Sequence, residues 1–238
     1  MTDPKGQRFV LKLSGEALAG PQGFGHDAEM LARMGGESAE LVASGRQIAI
    51  VVGGGNIIRG AHVAADGGDR VAGDHMGMLG TLINGIALRE AVRRSGVRCT
   101  LLSAFEAPTF CPTFSQRAAM EALDRGDVVI LAGGVGSPFF TTDTGAALRA
   151  AEIGADAILK ATQVDGVYTS DPKVDPHAKR YDRLTFDEAL SKGLKIMDTA
   201  ALALAQDHAI PVCVFSVHQP GALLSAASND GTGTWITP

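Results

Sequence analysis

Residues 8–18 read RFVLKLSGEAL, and the run from Phe9 to Leu13 is apolar except at one position. Continuous apolar runs mark strands covered on both faces, so this stretch predicts a central strand of a layered α/β fold. Lys12 lies inside the run. An unpaired ammonium is expensive to bury, so its charge must emerge at the strand's end and meet an anion there.

Downstream, strand and helix patterns alternate. A helix over about Asp27–Ser44 leads to the strand RQIAIVV, Arg46–Val52, giving a βαβ beginning. A helix over Asp74–Ser95 stops at Gly96, then come the strand VRCTLL, a helix over Ser115–Arg125 that stops at Gly126, and the strand DVVILA. A helix over Thr141–Ile153 precedes the strand ADAILKA. From Thr162 to Leu184 two Asp-Pro pairs and the lack of helical period predict turns and a short hairpin. Helices over Thr185–Lys192 and Asp198–Asp207, the strand PVCVFS and an edge strand in GTGTWITP complete the chain. No linker divides it, and one continuous parallel sheet with helices on both faces is the economical reading.

Composition narrows the function. A net charge of -5 argues against bulk electrostatic binding of nucleic acid. Cys99, Cys111 and Cys213 form no CxxC pair, which predicts free thiols in a reducing cytoplasm. No apolar window reaches the ~18 residues of a membrane span, and the N-terminus is not of signal-peptide type, so a soluble, unexported protein without membrane partners is expected. The 30 glycines exceed the usual ~7% and cluster where ligands bind in open α/β sheets, past the carboxyl ends of strands.

Lys12, Leu13, Ser14 and Gly15 end the first strand, and Gly53, Gly54, Gly55 and Asn56 end the second, followed by Arg59. Gly133, Gly134, Val135, Gly136, Ser137 and Pro138 follow DVVILA and run through Phe139, Phe140, Thr141 and Thr142 to Asp143; Lys160 ends the next strand and Thr162 follows it. A single glycine loop is often only a tight turn, and a single lysine at a strand end can reach water. Two glycine loops and two lysines at the same end of one sheet converge on a site for several phosphate charges. GxxxxGK[ST] is absent, and GxGxxG does not follow the first strand, so the site is neither a P-loop nor a standard dinucleotide fold.

LKLSGEAL, GFG at Gly23–Gly25, GGGN with Arg59, GDHMGML, PFFTTD, LKAT with VDGVYTSDP, KIMD and a final GT occur in order across nearly the whole chain. In this the sequence resembles the bacterial uridylate kinases (UMP kinases) of the amino acid kinase family. The resemblance implies a three-layer α/β/α sandwich with a mainly parallel central sheet, one domain over 1–238. Its N-terminal part would mainly bind UMP and its C-terminal part mainly ATP. The implied reaction moves the γ-phosphoryl of ATP to UMP, giving UDP and ADP for pyrimidine nucleotide biosynthesis, in a homohexamer activated by GTP and inhibited by UTP. By position, Lys12, Leu13, Ser14 and Gly15 would hold ATP phosphates, Gly55 and Arg59 would bind ATP at the junction of donor and acceptor phosphates, and Thr162, Tyr168 and Asp171 would hold the ATP nucleoside. Gly54 would contact UMP, Asp74 its ribose hydroxyls, and Val135, Gly136, Ser137, Pro138, Phe139, Phe140, Thr141 and Thr142 its uracil. Ser137 stands where relatives that read GTGNP carry Asn. Gly20, Gly23, Phe24 and Gly25 match a region linked with GTP, and Arg89 and Arg93 are candidate anion ligands.

Chemistry refines these assignments. A phosphate monoester with a second pKa near 6 is mostly dianionic at neutral pH and needs no general base as acceptor. Transfer then needs in-line positioning and charge neutralisation, assigned to the catalytic set Lys12, Lys160, Arg59 and Asp143 with Mg2+ held mainly by ATP rather than by a protein cage. Asp143 can be read equally as an N-cap or as the group orienting both lysines; Asp198 reads as a helix cap, and at least one of Phe139 and Phe140 as core. Two competing functions remain, a kinase acting on a carboxylate or carbamate, which Asp74 would repel, and a non-catalytic nucleotide sensor, which would not need both lysines.

Overall fold

In a computed structural model, which describes residues 8–58, 67–172, 174–194 and 196–238, the opening apolar run forms β1 (Arg8–Leu13). Strand alternation sorts its side chains between two cores: Phe9, Leu11 and Leu13 join one and Val10 the other. Lys12 shares the face of Val10 by the same period.

The chain continues through α1 (Gly15–Leu18), α2 (Ala28–Ala43), β2 (Gln47–Val52), α3 (Arg70–Arg94), β3 (Cys99–Ser103), α4 (Gln116–Asp124), β4 (Val128–Ala132), α5 (Thr142–Ile153) and β5 (Ala157–Thr162). Then follow β6 (Arg183–Thr185), α6 (Phe186–Ser191), α7 (Thr199–Asp207), β7 (Val212–Ser216), α8 (Ala222–Ser228) and β8 (Thr234–Thr237). The strands make one sheet in the order β3-β4-β2-β1-β5-β7-β8-β6. Helices α2, α3 and α8 pack on the face of Phe9, and α4 to α7 on the face of Val10. The architecture is the expected α/β/α sandwich, with β1 near its centre.

The sheet departs from the parallel expectation at one end. β8 runs antiparallel to β7 and parallel to β6, so it lies inside the sheet, and β6 takes the edge. Burial explains the difference, because Trp235 feeds one core and Ile236 the other, as a strand covered on both faces must. α3 begins a turn earlier than expected, since Asp69 caps it by accepting from Ala72 N at 2.9 Å. The Asp-Pro segment folds back on itself as expected, with Thr169 N donating to Lys179 O at 3.0 Å. α8 is an addition, too short and too alanine-rich to stand out as a periodic pattern. Among the described residues, no helix is long and apolar enough to cross a membrane.

Two adjacent glycines in α2 test this packing. A Cβ on Gly35 would lie 2.7 Å from the carbonyl oxygen of Ala91 on α3, whereas one on Gly36 would meet nothing within 4 Å. Gly35→Ala should therefore destabilise by about 1–3 kcal/mol through overpacking. Gly36→Ala should stabilise by about 0.5–1 kcal/mol by removing backbone freedom from the unfolded chain. Urea unfolding of both variants checks the pair, and shifts of the same sign would contradict the α2–α3 contact described.

Candidate active site

Register decides where the two buried lysines meet. β1 and β5 pair in parallel with Lys12 opposite Lys160, so both side chains emerge from the same face, toward α5. There Asp143 forms an ion pair with each of them. Lys12 Nζ lies 2.9 Å from its Oδ1, and Lys160 Nζ lies 2.6 Å from its Oδ2. Lys160 also donates to the main-chain oxygen of Ile196 at 2.6 Å.

Asp143 is not the N-cap of α5. Thr141 has that role, accepting from Asp143 N at 3.0 Å, which frees the Asp143 carboxylate to turn toward the sheet. Burial pushes that carboxyl up, but the charges of Lys12 and Lys160 and their hydrogen bonds outweigh it and hold it below its ordinary 3.8. Burial also draws Lys160 below its ordinary 10.5, with the Asp143 charge opposing and the Lys12 charge assisting. Asp198 is a cap, as read from sequence, accepting from Ala201 N on α7 at 2.9 Å. It does more than cap. The hydroxyls of Thr141, at 2.5 Å, and Thr144, at 2.9 Å, both donate to it, which ties the start of α5 to the start of α7.

Among the described residues, three clefts border this ion cluster, and one of them, lined by Asp143, Lys160 and Ile196, holds none of the other residues singled out in the sequence. The first of the other two, of about 430 Å³, is lined by Lys12, Ser14, Gly15, Gly54, Gly55 and Asp74, together with Val135, Ser137, Phe140, Thr141 and Thr142. The second, of about 690 Å³, is lined by Lys160, Thr162, Tyr168 and Asp171. The structure thus divides the sequence-derived residues between two spaces with a lysine on each.

Close approach accounts for the glycines of the first cleft. A Cβ on Gly54 would sit 2.4 Å from Gly77 O on α3, and one on Gly15 would sit 2.7 Å from Gly55 N. The β1 and β2 loops therefore touch through main chain.

Other candidates lie elsewhere. The Leu13 side chain is in the core and its carbonyl accepts from Gly53 N at 2.8 Å; Gly136, Pro138 and Phe139 do not line the first cleft. Neither phenylalanine is core: Phe139 is 67% and Phe140 53% exposed. Phe139 has φ 71°, and its N–H donates to Asp74 Oδ2 at 2.9 Å, while Arg70 Nε binds the same carboxylate at 2.9 Å. Arg89 and Arg93 both pair with Glu90. Gly20, Gly23 and Gly25 all have positive φ, with Phe24 exposed beside them. Arg59 falls outside the described residues.

Sequence reasoning missed Thr81, whose hydroxyl accepts from Gly133 N at 2.6 Å, and Thr144, Arg70 and the Ile196 carbonyl. The two threonines lie on helices at positions that periodicity assigns to packing, and a carbonyl carries no sequence signal. Met78 on α3 also lines the first cleft.

The model of the amino acid kinase family matches residues 7–216. A uridylate kinase of Rhizobium meliloti is 54% identical over 231 residues, covering 97% of this chain and 96% of the relative. One from Chelativorans is 55% identical over 218 residues, covering 92% and 88%. Among solved structures, UMP kinase from Bacillus anthracis superposes with a TM-score of 0.94 at 37% identity, covering 98% of this chain and 96% of that one. Uridylate kinase from Archaeoglobus fulgidus gives a TM-score of 0.73 at 29% identity, covering 96% and 99%.

Asp143→Asn would leave two buried ammonium groups facing a neutral amide, and should cost about 3–5 kcal/mol, the usual penalty for breaking a buried pair from one side. Because the folded carboxyl titrates below 3.8, its stabilisation is complete above the unfolded value and is lost as pH falls through the folded one. In urea unfolding, the gap between wild type and variant should be flat near neutrality and narrow only below pH 3.8. A gap that narrows already between pH 5 and 7 would contradict the ion cluster.

Proposed function

The chain belongs to the uridylate kinases of the amino acid kinase family, and we propose that it transfers the γ-phosphoryl of ATP directly, in line, to UMP, giving UDP and ADP. The observation that carries the reading is the Lys12–Asp143–Lys160 cluster, whose Lys12 lines one cleft and whose Lys160 lines another. One carboxylate against two ammonium groups leaves a net positive charge, which suits a phosphoryl group in transit.

UMP occupies the first cleft. Its phosphate is already dianionic and attacks without a general base, so the protein's work is to hold two anions together. Gly54 and Gly55 offer main-chain N–H groups, Lys12 and Lys160 neutralise the transferring group with Arg59 assisting, and Asp143 orients both lysines. Asp74 keeps acceptor capacity for the ribose hydroxyls beyond its bonds to Arg70 and Phe139. Phe140 and Thr142 flank the uracil. ATP occupies the second cleft, its nucleoside against Thr162, Tyr168 and Asp171.

Mg2+, bound with ATP, adds charge neutralisation at the phosphates. The donor set suits a metal held through phosphate oxygens and water, because both Asp143 oxygens face ammonium groups. Three buried free cysteines suit a reducing cytoplasm. Assembly as a homohexamer and control by GTP and UTP rest on the family likeness alone.

The first test is ADP release with ATP and Mg2+, comparing UMP, CMP, dUMP and N-acetylglutamate. Strong preference for UMP is expected; turnover of N-acetylglutamate instead would point to a carboxylate kinase, and no turnover by a protein that still binds ATP to a sensor. Asp74→Asn should raise KM for UMP with little change in KM for ATP, and equal losses would remove Asp74 from the acceptor site. Lys12→Ala should suppress kcat by ~10²-fold or more, the scale of a lost electrostatic contact in phosphoryl or acyl transfer, with UMP binding largely kept.

A further inference from the structure

Beneath the glycine loop lies a buried polar network that the mechanism has not used. Asn84 on α3 is wholly buried and Asn56, the last residue of GGGN, is 1% exposed. Asn84 Nδ2 donates to the main-chain oxygen of Gly53 at 2.6 Å and to Asn56 Oδ1 at 2.6 Å. Asn56 Nδ2 donates to Gly25 O at 2.6 Å and to Asn84 Oδ1 at 3.1 Å. The second acceptor position of Asn84 Oδ1 is taken by His26 Nε2 at 2.7 Å.

Main-chain carbonyls can only accept, so Gly53 O and Gly25 O fix which end of each amide is nitrogen. Asn84 Oδ1 must then face the imidazole, and His26 Nε2 must carry the hydrogen it shares. Asn84 thereby uses all four of its hydrogen-bonding positions. A buried network in this state rigidifies what it touches, whereas a partly satisfied one is costly. What it touches is the phosphate loop at both ends, through Gly53 and Asn56. It also reaches the first loop, because a Cβ on Gly15 would fall 2.4 Å from Asn56 Oδ1. Gly25 closes the clamp by donating its own N–H to Asn56 O at 3.1 Å.

We propose that Asn56, Asn84 and His26 act as positioning residues that fix the Gly53–Asn56 loop so that the N–H groups of Gly54 and Gly55 are aimed before substrate arrives. None of the three need touch substrate. The catalytic part of this inference rests on the phosphoryl-transfer reading, while loop order can be measured without turnover.

Asn84→Asp removes the donors to Gly53 O and Asn56 while keeping the shape. It should lower kcat by ~10²-fold, as expected for misaligned reacting groups, with dissociation constants for UMP and ATP by calorimetry little changed. Should that variant fail to fold, His26 decides, because it is only partly buried. His26→Leu should lose about 10-fold in kcat, and His26→Gln, whose Nε2 can donate to the same oxygen, should restore it. Amide exchange of Gly54 and Gly55 by NMR should rise in His26→Leu and recover in His26→Gln. Wild-type kcat in His26→Leu, or a loss that His26→Gln does not recover, would overturn the proposal. If wild type shows no turnover but loop exchange follows this pattern, the positioning stands and the reaction assignment fails.

Discussion

One carboxylate shared by two ammonium groups is the constraint around which the rest of this structure is arranged. The parallel register of β1 and β5 makes Lys12 and Lys160 neighbours, and neighbouring buried cations repel. Neither can be left without a partner, since desolvating a lone charge costs several kcal/mol. Asp143 resolves the conflict only if α5 starts at the right height above the sheet. That height is set by Thr141 capping the helix and by Asp198 holding Thr141 and Thr144 from the start of α7. The Ile196 carbonyl, two residues before Asp198, takes the remaining reach of Lys160. The segment ending at Asp198 therefore fixes both the helix that supplies the carboxylate and one of the lysines it serves.

The opposite side of the cluster is built from main chain. Gly15, Gly53 and Gly54 allow the β1 and β2 loops and α3 to approach within distances that a Cβ would block. Close approach concentrates N–H groups where anionic ligands can meet them, and the amide network under the loop keeps those groups from wandering. Positive charge on one side and oriented amides on the other are the two elements that a reaction between anions needs.

Much of this was legible in the sequence because strand and helix periods, glycine clusters and strand-end lysines are local signals. The central strands and the α2 boundaries follow from local pattern. The place of β8 did not, because a short strand's neighbours depend on which faces other elements cover, and only the burial of Trp235 and Ile236 in opposite cores reveals it. Asp143 was ambiguous for a related reason: both of its readings satisfy the same local pattern, and the register of two strands 148 residues apart in sequence decides between them. Phe139 and Phe140 looked partly like core by composition, yet the loop turns both outward. Asn84 gave no signal at all, since an asparagine within a helix is ordinary until the carbonyl it serves is known.

A crystal structure with UMP and a non-hydrolysable ATP analogue bound together would show whether the two lysines meet the transferring phosphoryl group. The UMP phosphate is expected in the cleft lined by Gly54 and Asp74, the adenosine in the cleft lined by Thr162 and Tyr168, and the γ-phosphate within hydrogen-bond reach of both Lys12 and Lys160. Phosphates bound away from the two lysines, or both nucleotides in a single cleft, would contradict the phosphoryl-transfer reading.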